Sequence, residues 1–279
     1  MNPFFRIAKR LTGAAREGKL GETVSRGVSY RLRTANTCAR DAYVRAGYAV
    51  AYFIQDRFLG HVAAVKRYPI PLPELGIQEG NEVTAGKGTT SWEKWRLIET
   101  NLPAGARNAM DIGSNNGFFS LRLAQKGLFT IGVEPDLELL RLAQAAALRG
   151  NVRSAAFVGL PVSPDNVHQL PGADVTLVLS VAQRWIRMYG REAGLAIVKA
   201  IWEKTTRAMF FELPNAQQSS KEADILSYLG DTEAESEAAI IRFLNSLGGG
   251  EARLLGYLPS DFRPDEKRHI FVLERRASQ

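Results

Sequence analysis

From residue 91 onward, short apolar runs of strand length alternate with longer stretches whose apolar residues recur every three or four positions. The strand-like runs are 109–112, 130–134, 155–158, 175–179 and 209–212. Helical periodicity fills 118–126, 137–148 and 192–204, and a further helix is expected around 233–247. Strand and helix in strict alternation predict a parallel sheet with helices on both faces. After Gly248-Gly249-Gly250 come two more strand-like runs, 253–257 and 269–274, with no helix-length segment between them. A loop must join them, so they are expected to pair antiparallel. The predicted fold is α/β: a doubly wound, mostly parallel seven-stranded sheet with an antiparallel last strand, plus a helical N-terminal extension.

The extension has its own pattern. Ala51, Ile54, Phe58, Val62 and Val65 mark one apolar helical face over 46–66, and Phe4, Ile7, Ala8 and Leu11 form a shorter stripe beside Arg6, Lys9 and Arg10. The Pro-rich piece 68–73 and the Gly/Thr-rich piece 84–90 read as loop. Residues 1–90 are therefore expected to form a basic helical extension with its loop, and 91–279 the main domain, opened by a helix from Ser91.

Charge sharpens this division. Of the net +7, residues 1–67 hold 13 Lys or Arg against 4 Asp or Glu, so the rest of the chain is slightly acidic. Such a segment can meet an anionic membrane surface or nucleic acid, or can be a solvated helical face. The basic start lacks the apolar run of a secretory signal, and 46–54 is too short to cross a bilayer. A cytoplasmic location is expected, at the inner face of a membrane if the extension binds lipid. One cysteine, Cys38, and three scattered histidines offer no disulfide and no metal cluster.

The chemistry is concentrated after the first strand. Asn108-Ala-Met-Asp-Ile-Gly-Ser-Asn-Asn-Gly-Phe-Phe places Gly113 and Gly117 in the turn between a buried strand and a helix. Glycine permits positive φ and close approach of a ligand, and the helix start offers unpaired N–H groups. Glu134 ends the next strand 21 residues after Gly113. That is where a doubly wound sheet places the acid that receives both ribose hydroxyls of an adenosine.

A dinucleotide fold wants G-x-G-x-x-G, but Asn115 stands where the second glycine belongs. The pattern Asp111-x-Gly113-x-x-x-Gly117 instead resembles motif I of the class I, seven-stranded methyltransferases, over roughly residues 91–275. In its wording, Asp-Ile-Gly-Ser-Asn-Asn-Gly-Phe-Phe-Ser-Leu resembles the FkbM-type members. The resemblance implies S-adenosyl-L-methionine as cofactor, with Asp111 anchoring the methionine ammonium indirectly and Gly113, Asn115, Gly117, Glu134 and Ser180 around the ligand. An acidic residue that often follows the third strand in that family is replaced by Phe157-Val-Gly-Leu-Pro. Adenine contacts would then come from the backbone of Gly159 and Leu160 with apolar packing.

The acceptor is expected over the carboxyl end of the fourth strand, at Ser180-Val-Ala-Gln-Arg-Trp-Ile-Arg. Gln183, Arg184 and Trp185 are candidate contacts there, and Trp185 can equally be core. Glu212, ending the fifth strand, is a candidate general base if burial raises its pKa, or the partner of Arg184 or Arg187 in a salt bridge. The implied activity is methyl transfer to an oxygen or nitrogen of a small molecule, lipid or glycan precursor. The alternatives are an RNA methyltransferase using the basic arm, and a non-catalytic membrane-associated binding protein on the same fold.

Overall fold

The computed structural model describes residue 72 and residues 88–214, 229–230, 232–259 and 267–276. The helices expected before residue 67 lie outside the described residues, as do Cys38 and His61.

Helix α1 (Gly88–Thr100) leads into β1 (Asn108–Ile112). There follow α2 (Phe118–Gln125), β2 (Phe129–Val133), α3 (Leu137–Arg149), β3 (Ala155–Val158) and β4 (Ala173–Leu179). Then come α4 (Ala182–Tyr189), α5 (Arg191–Glu203), β5 (Thr205–Pro214), α6 (Glu233–Ser246), β6 (Gly250–Pro259) and β7 (Lys267–Arg275). The seven strands form one sheet in the order β3-β2-β1-β4-β5-β7-β6. The first five run parallel, while β7 is antiparallel to both β5 and β6.

Strand alternation divides the core into two layers. Met110, Ile112, Val178, Met209, Phe211 and Phe271 point to one face and pack against Trp185 and Ile186 of α4 and Ile197 and Val198 of α5. Ala109, Val175, Leu177, Phe210 and Val272 point to the other, against Trp95 and Ile98 of α1 and Phe118 and Leu121 of α2. Both faces of β1 and β4 are thus covered, which is why these strands read as nearly continuous apolar runs.

Helix α3 starts at Asp136, whose carboxylate accepts from the backbone N–H of Glu138 and Leu139. In α6, Thr232 and Glu235 form a reciprocal capping box. Two features depart from expectation. Helix α4 was not among the predicted elements, because Gln183, Arg184 and Arg187 interrupt an eight-residue segment too short for periodicity to assert itself. Strand β5 is ten residues long, where the apolar signal spans only 209–212, because pairing with β4 and β7 carries the ladder through its polar start. Among the described residues, no helix is long and apolar enough to cross a membrane.

Candidate functional site

The parallel register aligns the carboxyl ends of β1, β2, β4 and β5 along one edge of the sheet: Ile112 pairs with Val133 and Val178, and Leu179 pairs with Glu212. The order reverses between β1 and β4, which is where open α/β sheets bind ligands.

Three residues of the β1–α2 turn have positive φ: Gly113 at 74°, Asn115 at 52° and Gly117 at 80°. Asn tolerates the left-handed region better than other side chains, so one non-glycine is accommodated between two glycines. Backbone amides of Gly113 and Ser114 both donate to the carbonyl of Val133, at 2.8 and 3.1 Å, which ties the turn to the end of β2. Gly117 opens α2, and a β-carbon there would meet Ala143 Cβ of α3 at 2.6 Å. Its lack of a side chain therefore lets α2 approach α3 as well as permitting the turn.

Glu134 lies just past β2 and is 5% exposed. Its Oε2 accepts from the amide of Asn115 at 2.8 Å and its Oε1 from the amide of Asp136 at 3.0 Å. Each oxygen therefore keeps a second lone-pair site, and the carboxylate is held in place without being used up. Asp111, 2% exposed, accepts from Ser120 Oγ at 2.7 Å. Burial pushes its pKa up to about 6, the Ser120 hydrogen bond works against that rise, and the nearby Glu134 charge adds to it. Ser114 Oγ is buried in the same turn without a hydrogen-bond partner. Gly159 and Leu160 follow β3, where Leu137 and Leu140 of α3 approach Gly159 and form an apolar rim.

On the other side of the reversal, Ser180 directly follows β4 with φ 54°, an uncommon conformation for a residue with a side chain. Ser180 Oγ donates to Oε1 of Glu212 at 2.6 Å. Lys94 of α1 donates from Nζ to Glu212 Oε2, also at 2.6 Å, and Arg268 Nη1 stands 3.9 Å from Oε1. Arg268 reaches this place because β7 runs antiparallel: its first turnward residues sit beside the last residues of β5, with Arg268 opposite Pro214.

Of the two expectations for Glu212, a raised pKa or a salt bridge, the structure shows an ion-paired carboxylate, with partners other than those expected. Burial alone would raise its pKa, but the charge and hydrogen bond of Lys94, the Ser180 hydroxyl and the charge of Arg268 together hold it below the ordinary carboxylate value. Its ion-pair partners are Lys94 and Arg268, and not Arg184 or Arg187. Trp185 is core, 4% exposed and packed in the α4–α5 layer. Gln183 is buried, with Nε2 donating to the Ser180 carbonyl at 2.8 Å and Oε1 without a partner. Arg184 is exposed on the first turn of α4.

The structure thus brings Asp111, Gly113, Asn115, Gly117 and Glu134 into one cluster, and Ser180, Gln183 and Glu212 into a second. Lys94 and Arg268 were missed. Lys94 carried a signal: it shares the stripe of Trp95 and Ile98, and a lysine on a buried face implies a paired charge. Arg268 carried none, because its place depends on the β5–β7 register.

The cluster fits a nucleoside bearing a cationic amino acid, since two buried carboxylates, Asp111 and Glu134, stand at the turn and its amides are already committed in place of being free for a phosphate. No family model matches the chain. A curated protein of Mycobacterium sp. (strain JLS), named an uncharacterized methyltransferase, is 32% identical over 89 residues, a match covering 32% of this chain and 32% of that protein. Among solved structures, the bifunctional kinase-methyltransferase WbdD superposes with a TM-score of 0.54 at 18% identity, covering 76% of this chain and 45% of that one. The N-terminal domain of EvdMO1 with SAH bound superposes with a TM-score of 0.54 at 17% identity, covering 80% of this chain and 98% of that one. By its strand order the chain carries a seven-stranded α/β sheet, and by this likeness it shares the fold of these structures.

Proposed function

We propose that the chain is an S-adenosyl-L-methionine-dependent methyltransferase acting on an oxygen or nitrogen of a small molecule, lipid or glycan precursor. The observation that carries the reading is Glu134, buried at the carboxyl end of β2 and hydrogen-bonded to the amide of Asn115 in the turn after β1. It is supported by the SAH bound in the EvdMO1 domain of the same fold. The domain so proposed covers 91–279, with 1–90 as its extension.

In this reading Glu134 receives the ribose hydroxyls, and Asp111 with the 113–117 turn holds the methionine end. Gly159 and Leu160 offer backbone and apolar surface to the adenine, beside Leu137 and Leu140. Ser180 borders the reacting centre. S-adenosyl-L-methionine, when bound, supplies an electrophilic methyl carbon on a sulfonium. The protein's part is alignment and exclusion of water, which methyl transfer needs more than acid–base groups. Gln183 and Arg184 contact the acceptor, Gln183 through its unpartnered Oε1 and Arg184 from the rim. Glu212 orients the acceptor side as an ionised carboxylate and holds Lys94, Ser180 and Arg268 in place; its depressed pKa makes it a poor proton acceptor.

The FkbM-like wording of residues 111–121 favours an acceptor of the polysaccharide or natural-product kind. The basic excess over 1–67 favours contact of the extension with an anionic membrane surface. Calorimetric titration of the full chain with S-adenosyl-L-methionine and S-adenosylhomocysteine tests the cofactor, and saturable binding of both is expected. If neither binds, the methyltransferase reading falls. Co-sedimentation with anionic vesicles tests the extension, with a structured RNA as competitor: loss of vesicle binding to RNA would favour a nucleic-acid acceptor.

A further inference from the structure

The strongest unexplained feature is the charge balance around Glu212. Lys94 and Arg268 bring two cations to one carboxylate, and their side chains are 11% and 16% exposed against 1% for Glu212. Neither cation has another acidic partner among the described residues. A buried group of ions with one charge left over is costly unless something compensates it. Among the described residues the Arg268 guanidinium makes one hydrogen bond, from Nη1 to Ser180 Oγ at 3.3 Å, which leaves most of its planar fork of donors uncommitted there.

We propose that the acceptor is an organic acid, seated by its carboxylate or phosphate against Arg268 and the Lys94 side of the Glu212 cluster. The inference rests on the methyltransferase reading and names the substrate class for the same site.

Three observations converge on this place. The position is right: Ser180 follows β4 and Glu212 lies near the carboxyl end of β5, on the side of the strand-order reversal proposed for the acceptor, and Arg268 enters beside them from β7. The local backbone is strained at Ser180, a residue with a side chain held at φ 54°, and such strain gathers where ligands are gripped. Gln183, anchored to the Ser180 carbonyl, buries an Oε1 that no group satisfies, so the site also expects a hydrogen-bond donor. An acid carrying a neighbouring hydroxyl or amide N–H would meet both demands. Its anionic oxygens would take the guanidinium fork in the bidentate geometry that arginine favours, and would bring the cluster to neutrality.

A neutral acceptor would leave the excess charge in place. A purely structural ion cluster would be closed to added anions. The test therefore uses small probes on the full chain, with and without saturating S-adenosylhomocysteine. Ligand-observed NMR titrations are run with benzoate and phenyl phosphate, and with benzamide and phenol as their neutral counterparts. Saturable binding of at least one anion, tenfold or more tighter than its neutral counterpart, is expected. Whether benzoate or phenyl phosphate is preferred assigns the carboxylate or the phosphate.

Arg268→Gln should weaken the anion at least tenfold while S-adenosylhomocysteine affinity stays within twofold. Arg268→Lys, which keeps the charge and loses the fork, should fall between and serves if the first variant is unstable. Anions that bind no better than neutral probes overturn the proposal, as does undiminished anion binding in both variants. Failure of S-adenosylhomocysteine to bind, with anions still captured, leaves the seat standing and removes the cofactor reading.

Discussion

A β-carbon on Gly113 would overlap Cγ2 of Val181, so the turn after β1 and the first residue beyond Ser180 are packed against each other through the absence of a side chain. The two halves of the site are thereby in direct contact. Gly113→Ala is expected to weaken S-adenosylhomocysteine binding at least tenfold, through both this overlap and the φ of 74°. Gly113→Val should abolish it. Adding Val181→Ala to Gly113→Ala should restore part of the affinity and not all, because the backbone cost remains. Calorimetry on the three variants, with circular dichroism for the fold, measures both parts; full restoration would show that φ plays no role.

Glu134→Ala should weaken the cofactor by about 1.5–3 kcal/mol, the range for hydrogen bonds to a charged group. The same change frees the amides of Asn115 and Asp136. Glu134→Gln separates the effects, since its single carbonyl oxygen can keep one of those amides. An affinity unchanged in both variants would remove the ribose assignment.

Asp111 gives a pH signature. Its folded pKa of about 6 exceeds the ordinary 3.8, so the folded state holds the proton more tightly than the unfolded chain. Its contribution to stability is complete below 3.8 and is lost as pH rises towards 6, by up to about 3 kcal/mol. Asp111→Asn should make the ligand-free protein more stable at pH 8 by some part of that amount and flatten the pH dependence between 4 and 6. In the wild type, affinity for S-adenosyl-L-methionine should decline below pH 6, because the ammonium prefers the ionised acid. Denaturant melts and titrations at pH 5, 6 and 8 would register both.

Glu212 behaves with the opposite sign. Its folded pKa lies below the ordinary 4.5, so its stabilisation is present above 4.5 and is lost as pH falls through the folded value. Glu212→Gln leaves Lys94 and Arg268 buried without their counter-ion, and breaking such a pair costs about 3–5 kcal/mol. Lys94→Met together with Glu212→Gln should be less destabilised than the sum of the single changes. A sum that is simply additive in urea melts would mean the two side chains do not interact in solution.

Much of this architecture was legible in the sequence because the period of apolar residues reports burial directly. Strands β1 and β4 are covered on both faces and read as nearly continuous apolar runs, and the 113–117 turn is marked by two glycines at positions of positive φ. Helix α4 escaped because a short amphipathic segment does not repeat often enough to be counted. The same limit hid the role of Trp185, whose burial depends on α5 packing beside it. Glu212 is legible from its position near a strand end, but the sequence leaves its ionisation open between a raised pKa and a salt bridge: the sign depends on Lys94, 118 residues away, and on Arg268 across an antiparallel ladder. Nothing local in the chain encodes such a meeting.

The strand-order reversal also separates the signs of charge. Asp111 and Glu134 lie on the β1–β2 side, while on the β4–β5–β7 side Lys94 and Arg268 outnumber the single acid between them, Glu212, and leave a net positive charge. The proposed pair of a cationic cofactor and an anionic acceptor, entering in the reverse orientation, would bring its cationic end to arginine and lysine and its anionic end to two acids. Misregistered complexes are therefore disfavoured at both ends at once, and the edge of the sheet selects orientation by repulsion as well as by attraction.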